Sequence, residues 1–252
     1  MELTGASALV TGAGSGLGAA TAEALAAAGA QVVAMDLNAE GLAALAERCE
    51  ATPVAGDVAS EADVATALEA ASGLGPLRLV VNCAGIAPAA RVVGRNGAHD
   101  LALFERALRV NLVGTFNVLR LAAQRMQALD PTAPDKERGV IVNTASIAGE
   151  DGQIGQCAYA ASKAGVMGLT LPAARELAKS GIRVVTIAPG LFETPMLAGL
   201  PEAAQAAIRA LPPFPARLGL PEEFARMVLA ICANPLLNGT TIRLDSALRL
   251  PP

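Results

Sequence analysis

The chain has 252 residues, of which 53% are hydrophobic and 17% charged, and it carries a net charge of −4 at neutral pH. That apolar content suffices for a sizeable core, but aromatics make up only 2%, so the core must be aliphatic and alanine-rich. An acidic balance with no block of lysines and arginines argues against nucleic acid as a main partner. The longest apolar run, residues 24–35, is interrupted by Gly29 and Gln31 and falls short of the roughly 18 residues of a membrane span.

Cys49, Cys83, Cys157 and Cys232 are scattered, form no Cys-x-x-Cys pair and have only His99 to join them. Neither a metal site nor a disulfide framework is expected, and reduced thiols fit a cytoplasmic location. Met1-Glu2 leads almost directly into a strand-like run, without the basic flank and apolar stretch of a signal peptide.

In chain order, short β-branched apolar runs fall at 6–11, 31–36, 52–55, 77–82, 139–145, 182–188 and 240–244. Amphipathic stretches lie between most of them, at 16–28, 39–49, 61–71, 100–129 and 158–180, with a last one at 222–233. Strands alternating with helices predict an α/β fold: one doubly wound, Rossmann-type parallel sheet of seven strands, covered by helices on both faces. Residues 86–99 break the rhythm, as do residues 189–220 with five prolines after Gly190, and the latter reads as a substrate lid. No repeat or linker divides the chain, so residues 1–252 are expected to form a single domain.

The first strand runs into Thr11-Gly12-Ala13-Gly14-Ser15-Gly16-Leu17-Gly18, which opens an alanine-rich helix. Glycines permit a tight turn and close approach to a pyrophosphate, and the helix N-terminus adds N–H groups and a positive dipole end. Asp36 ends the next strand, where a carboxylate can accept hydrogen bonds from an adenosine ribose and repel a 2′-phosphate. That favours NAD over NADP, the alternative being that Asp36 caps the next helix. Asp57 and Val58 follow the third strand and are placed to border an adenine, although Asp57 reads equally well as a cap or turn residue. Asn82, Cys83, Ala84 and Gly85 end the fourth strand at the carboxyl edge, where ligands sit in open sheets. Cys83 has no basic neighbour in sequence and reads as an inert thiol.

The chain's one tyrosine, Tyr159, stands four residues before Lys163, one turn apart on a helix. An ammonium beside a phenol favours phenolate and is expected to lower the tyrosine pKa toward the working range. Ser146 supplies a hydroxyl thirteen residues upstream. His99 reads as a cap or surface residue.

Thr11-Gly-x-x-x-Gly-x-Gly18, Asn82-x-Ala-Gly85, Asn111, Ser146, Tyr159-x-x-x-Lys163 and Pro189-Gly190 together resemble the short-chain dehydrogenases/reductases, in order along nearly the whole chain. Segments 110–118, 152–156, 186–192, 213–219 and 238–245 are similar to one subgroup, the type 2 3-hydroxyacyl-CoA dehydrogenases, also called 17β-hydroxysteroid dehydrogenase type 10. The resemblance implies hydride transfer between NAD and C3 of a 3-hydroxyacyl-CoA, and a homotetramer. It implies Tyr159 as general base, Lys163 holding the nicotinamide ribose, Ser146 bonding the substrate oxygen and Asn111 anchoring a water that links Lys163 to solvent. Ser15 and Leu17 resemble pyrophosphate contacts, and Phe192 and Thr194, after Pro189, resemble nicotinamide contacts, though Phe192 also reads as a packing residue. Gln153 and Gln156 stand as substrate contacts or as solvated loop residues. Glu150-Asp151 departs from the pattern near the expected substrate mouth, where the two acids would disfavour an anionic thioester or simply face solvent. Rival activities are a hydroxysteroid or other secondary-alcohol dehydrogenase and a 3-oxoacyl-carrier-protein reductase. Outside catalysis, the rival is an NAD-binding regulator or scaffold.

Overall fold

In the computed structural model, which describes residues 1–95, 97–194 and 202–251, the apolar runs become strands and the amphipathic ones helices. In chain order they are β1 (Ser7–Thr11), α1 (Gly16–Ala27), β2 (Gln31–Asp36), α2 (Ala39–Ala46), β3 (Ala51–Ala55), α3 (Glu61–Leu74) and β4 (Leu77–Asn82). A short hairpin of β5 (Val93–Gly94) and β6 (Gly97–Ala98) precedes α4 (Leu101–Leu108) and α5 (Thr115–Gln127). There follow β7 (Gly139–Thr144), the short α6 (Ala148–Asp151), α7 (Cys157–Leu177), β8 (Ile182–Pro189), α8 (Glu202–Arg209), α9 (Pro221–Ala233) and β9 (Thr241–Leu244).

Seven strands form one parallel sheet in the order β3-β2-β1-β4-β7-β8-β9. Side chains of successive strand residues face opposite sides, which sorts the apolar runs into two cores. Ala8, Val10, Val32, Leu79, Val81, Val140 and Val142 pack with Leu25, Leu42, Leu45, Phe224 and Val228 on one face. Leu9, Val33, Met35, Val80, Ile141 and Val184 pack with Val64, Leu68, Val118 and Met126 on the other. The central strands are therefore apolar on both sides, as a buried parallel sheet requires. Pro53 lies in β3, an edge strand, where its missing N–H breaks no inner ladder. Strand order reverses between β1 and β4, the place where an open α/β sheet leaves a crevice beyond its carboxyl edge.

The irregular and long helical stretches take more detailed form. The stretch 100–129 is not one α-helix: α4 and α5 are joined by a π-helical turn at Arg109–Gly114. Residues 86–99 include the β5–β6 hairpin. Within the expected lid, residues 195–201 lie outside the described residues, and α8 occupies part of the remainder.

Candidate active site

Gly12 turns the chain out of β1 with a left-handed φ of 66°. A Cβ there would lie 2.6 Å from the Ala84 backbone nitrogen, so the neighbouring strand leaves no room for a side chain. At Gly18 a side chain would run into the Gly12 carbonyl. Ser15 caps α1 with extended backbone and no side-chain cap bond, so the dipole of this 12-residue helix is open to an anionic group. Asp36 accepts hydrogen bonds from Gly14 N and Asn38 N, each at 2.9 Å, one on each carboxylate oxygen. Each oxygen keeps a further lone pair. The cap of α2 is Asn38, which accepts from Gly41 N, so the alternative capping role for Asp36 falls away.

These residues border a cleft of about 620 Å³. Gly12, Ser15, Gly16, Leu17, Gly18, Asp36, Asp57 and Val58 line one part; Cys83, Ala84, Gly85, Ser146, Gln153, Gln156, Tyr159, Lys163, Pro189, Phe192 and Thr194 line the rest. Asp57 lines the cleft, and its Oδ1 accepts from Ala59 N at 2.8 Å in a turn. Phe192 likewise faces the cleft while packing on Gly219, where a Cβ would lie 2.7 Å from its ring. Asn82 does not face the cleft: its buried side chain turns into the sheet and donates to Asn143 Oδ1 at 2.9 Å, bracing β4 against β7. The cleft also includes Leu37, Ile208, Leu211 and Leu250. Leu37 adjoins Asp36 and was within reach of motif reasoning, but the sequence holds no signal that brings Leu250 here.

Helix α7 carries Tyr159 and Lys163 one turn apart, with Lys163 Nζ 5.8 Å from the phenol ring centroid. The ammonium is buried and donates to the Thr144 carbonyl at 2.8 Å. Ser146 follows β7; its hydroxyl accepts from Ala148 N at 3.1 Å and lies near enough to the Tyr159 phenol to influence its protonation. Asn111, in the π-helical turn, is fully buried. Its amide clamps Ile86, accepting from the backbone N at 2.8 Å and donating to the carbonyl at 2.9 Å, and also donates to Ser162 Oγ at 2.9 Å. A Cβ on Gly85 would lie 3.1 Å from Asn111 Oδ1 and 3.4 Å from Lys163 Nζ, so both groups border the space over that glycine.

Electrostatics differ from the expectation for the tyrosine. Burial pushes the Tyr159 phenol above its ordinary value, and the nearby Ser146 hydroxyl only partly opposes this. Burial also brings the Lys163 ammonium down to about 8, against the pull of Cys83. Desolvation of both partners thus outweighs the mutual effect inferred from spacing. Cys83 is pushed up to about 11 by burial, in keeping with an inert thiol.

Glu150 and Asp151 neither face the substrate as free acids nor simply meet solvent. Both bind Arg243, Glu150 Oε2 at 2.6 Å and Asp151 through its two oxygens at 3.0 and 3.1 Å. One guanidinium thus offsets part of the charge of both acids at this rim, and Arg243 holds the Asp151 carboxyl below its usual range.

Among the described residues no helix is long and apolar enough to cross a membrane, and no group of three His, Cys, Asp or Glu side chains is placed to hold a metal. The short chain dehydrogenase family model matches residues 6–205. The chain is 54% identical to the 3-hydroxyacyl-CoA dehydrogenase type-2 of Drosophila melanogaster, over 97% of each chain. It is 51% identical to the human protein of that name, covering 100% of this chain and 98% of that one. The crystal structure of 3-hydroxyacyl-CoA dehydrogenase type-2 from Mycobacterium avium superposes with a TM-score of 0.94 at 48% identity, covering 98% of this chain and 97% of that one. With its parallel sheet, glycine loop and Ser146–Tyr159–Lys163 wall, the chain belongs to the short chain dehydrogenase family of oxidoreductases.

Proposed function

We propose that this enzyme is an NAD-dependent dehydrogenase of 3-hydroxyacyl-CoA thioesters, reversibly interconverting the C3 hydroxyl and keto groups. One observation carries the reading: a phenol, an ammonium and a hydroxyl converge on the same cleft that a glycine loop and the Asp36 carboxylate border. The names of the full-length relatives support the substrate class.

The cleft suits a dinucleotide. Gly12, Ser15, Gly16, Leu17 and Gly18 would hold the pyrophosphate at the start of α1, and Asp36 would take the adenosine ribose with its remaining lone pairs. Asp36-Leu37-Asn38 provides no cation for a 2′-phosphate, which supports NAD and speaks against a reductase using NADPH. Val58, beside Asp57, would border the adenine, and Cys83, Ala84, Gly85, Pro189, Phe192 and Thr194 the remainder of the molecule. When bound, NAD supplies the acceptor for the hydride leaving C3.

The protein's own part is proton handling. Tyr159 takes the proton of the C3 hydroxyl in oxidation and returns it in reduction. Ser146 donates to the same oxygen and stabilises alkoxide character as it develops. Lys163, fixed by the Thr144 carbonyl, holds its charge beside the phenol and would hold the nicotinamide ribose. Asn111 acts through position, holding the Ile86 backbone and Ser162 on α7. Gln153 and Gln156 border the substrate portion of the cleft. A cytoplasmic homotetramer completes the reading, the former supported by four free thiols among the described residues and the latter by family resemblance.

The test is NADH formation from 3-hydroxybutyryl-CoA by the wild type and Tyr159→Phe. Losing a positioned general base should lower turnover by about 10²–10⁴-fold. Equal turnover by the two proteins would refute the proton transfer; no turnover by either would refute the substrate and favour a hydroxysteroid or other secondary-alcohol dehydrogenase.

A further inference from the structure

Beside Ser146 the chain closes on itself in a way the proposed chemistry does not use. Arg243 lies on β9, the sheet's edge strand, with its guanidinium only 18% exposed. It binds Glu150 and Asp151 of α6, bonds Asp245 Oδ2 through Nε at 2.8 Å, and donates from Nη2 to the Leu248 carbonyl at 3.0 Å. The planar fork suits several acceptors at once, and partial burial makes such charge-assisted bonds stronger than those of a surface pair.

These contacts fix a short return of chain after β9. Ser246 and Ala247 take left-handed φ values of 53° and 60°, a conformation disfavoured by residues with side chains, and Asp245 Oδ1 accepts from Ala247 N at 3.1 Å within that turn. Leu248 is then buried, and Leu250 N donates to Asp151 Oδ2 at 3.0 Å. Leu250 thereby joins the cleft at the wall that follows Ser146, since Asp151 lies between Ser146 and Gln153. With Ile208 and Leu211 it offers the cleft an apolar boundary, which fits an aliphatic chain and not the polyanionic carrier.

Resting on the 3-hydroxyacyl-CoA reading, we infer that Leu250 is the stop that limits acyl-chain length, and that Arg243 is the positioning residue that holds it there. The acids at 150 and 151 thereby gain a role: they anchor the stop through Arg243, which offsets part of their charge.

The experiment is steady-state kinetics of the full chain on 3-hydroxyacyl-CoA thioesters of four, eight and twelve carbons. Leu250→Ala should raise the twelve-to-four-carbon ratio of kcat/KM by at least about tenfold, the lower value of one methylene in an apolar pocket, with the change carried by KM. Arg243→Met should move the ratio the same way, and Arg243→Lys should recover part of the wild-type profile. Leu250→Ala decides alone should Arg243→Met fail to fold, because it leaves the ion cluster intact. An unchanged ratio in Leu250→Ala, with an active wild type, overturns this inference and leaves the proposed function standing. A wild type silent on all three thioesters overturns the proposed function and the length stop with it.

Discussion

At Lys163 stability and chemistry pull in opposite directions. Its ammonium is buried, and burial lowers its pKa from 10.5 to about 8. Below pH 8 both folded and unfolded chains carry the charge, and the fold bears its desolvation. Between 8 and 10.5 the unfolded state binds more protons than the folded one, so this group's contribution to stability rises with pH. The shift corresponds to roughly 3 kcal/mol at neutral pH, partly offset in a variant by losing the bond to Thr144. Lys163→Met is therefore expected to melt a few degrees higher than the wild type at pH 7, with the gap closing as pH climbs above 8, while turnover collapses. Calorimetry across pH 6.5–10 checks this, and a lower melting temperature at pH 7 would refute it. The same burial keeps Tyr159 protonated at neutral pH. Oxidation, which needs the base form, should accordingly gain rate about tenfold per pH unit over pH 6–8, and reduction should not. What spacing could reveal at this scale was the Tyr159–Lys163 pair, a local relation along one helix. The sign of the tyrosine shift depends on burial, which only the packed fold sets.

The glycine loop and β2 act as a unit, because Gly14 N is bonded to the carboxylate of Asp36. Removing that carboxylate frees a loop amide and deletes the charged acceptor proposed for the ribose. Asp36→Ala is expected to weaken NAD binding by about 10–100-fold, the worth of hydrogen bonds to a charged group, and to narrow discrimination against NADP. Fluorescence titration with both dinucleotides measures it; unaltered affinity for each would exclude Asp36 from the cofactor site. The sequence revealed this element because strand, loop, helix and acid fall within thirty residues of one another. It did not reveal the π-helical turn at Arg109–Gly114, since both flanks keep a helical pattern and the extra residue depends on packing. Gly114 ends that turn against the loop after β3, where a Cβ would lie 2.5 Å from Val58 Cγ2. The partners of Glu150 and Asp151 were likewise hidden, because Arg243 is more than ninety residues away in sequence.

On the scale of the whole molecule, the proposed homotetramer must cover surfaces that one copy leaves bare. Val113 and Phe116, three residues apart along the α4–α5 unit, are 51% and 52% exposed despite their size. Ala102, Glu105, Arg106 and Arg109 border a shallow groove with Val113 on that same unit. A stripe that mixes an acid, two arginines and large apolar side chains is suited to a twofold contact, in which Glu105 of one copy meets an arginine of the other and the apolar residues pack at the axis. Introducing like charges at that axis should break it, because two desolvated carboxylates would face each other. The double variant Val113→Glu, Phe116→Glu is therefore expected to sediment at lower mass than the wild type at equal concentration. It should keep the fold, since both side chains lie largely outside the cores. Analytical ultracentrifugation with a circular dichroism control distinguishes the cases: an unchanged mass with intact helix content would mean that copies meet through some other face.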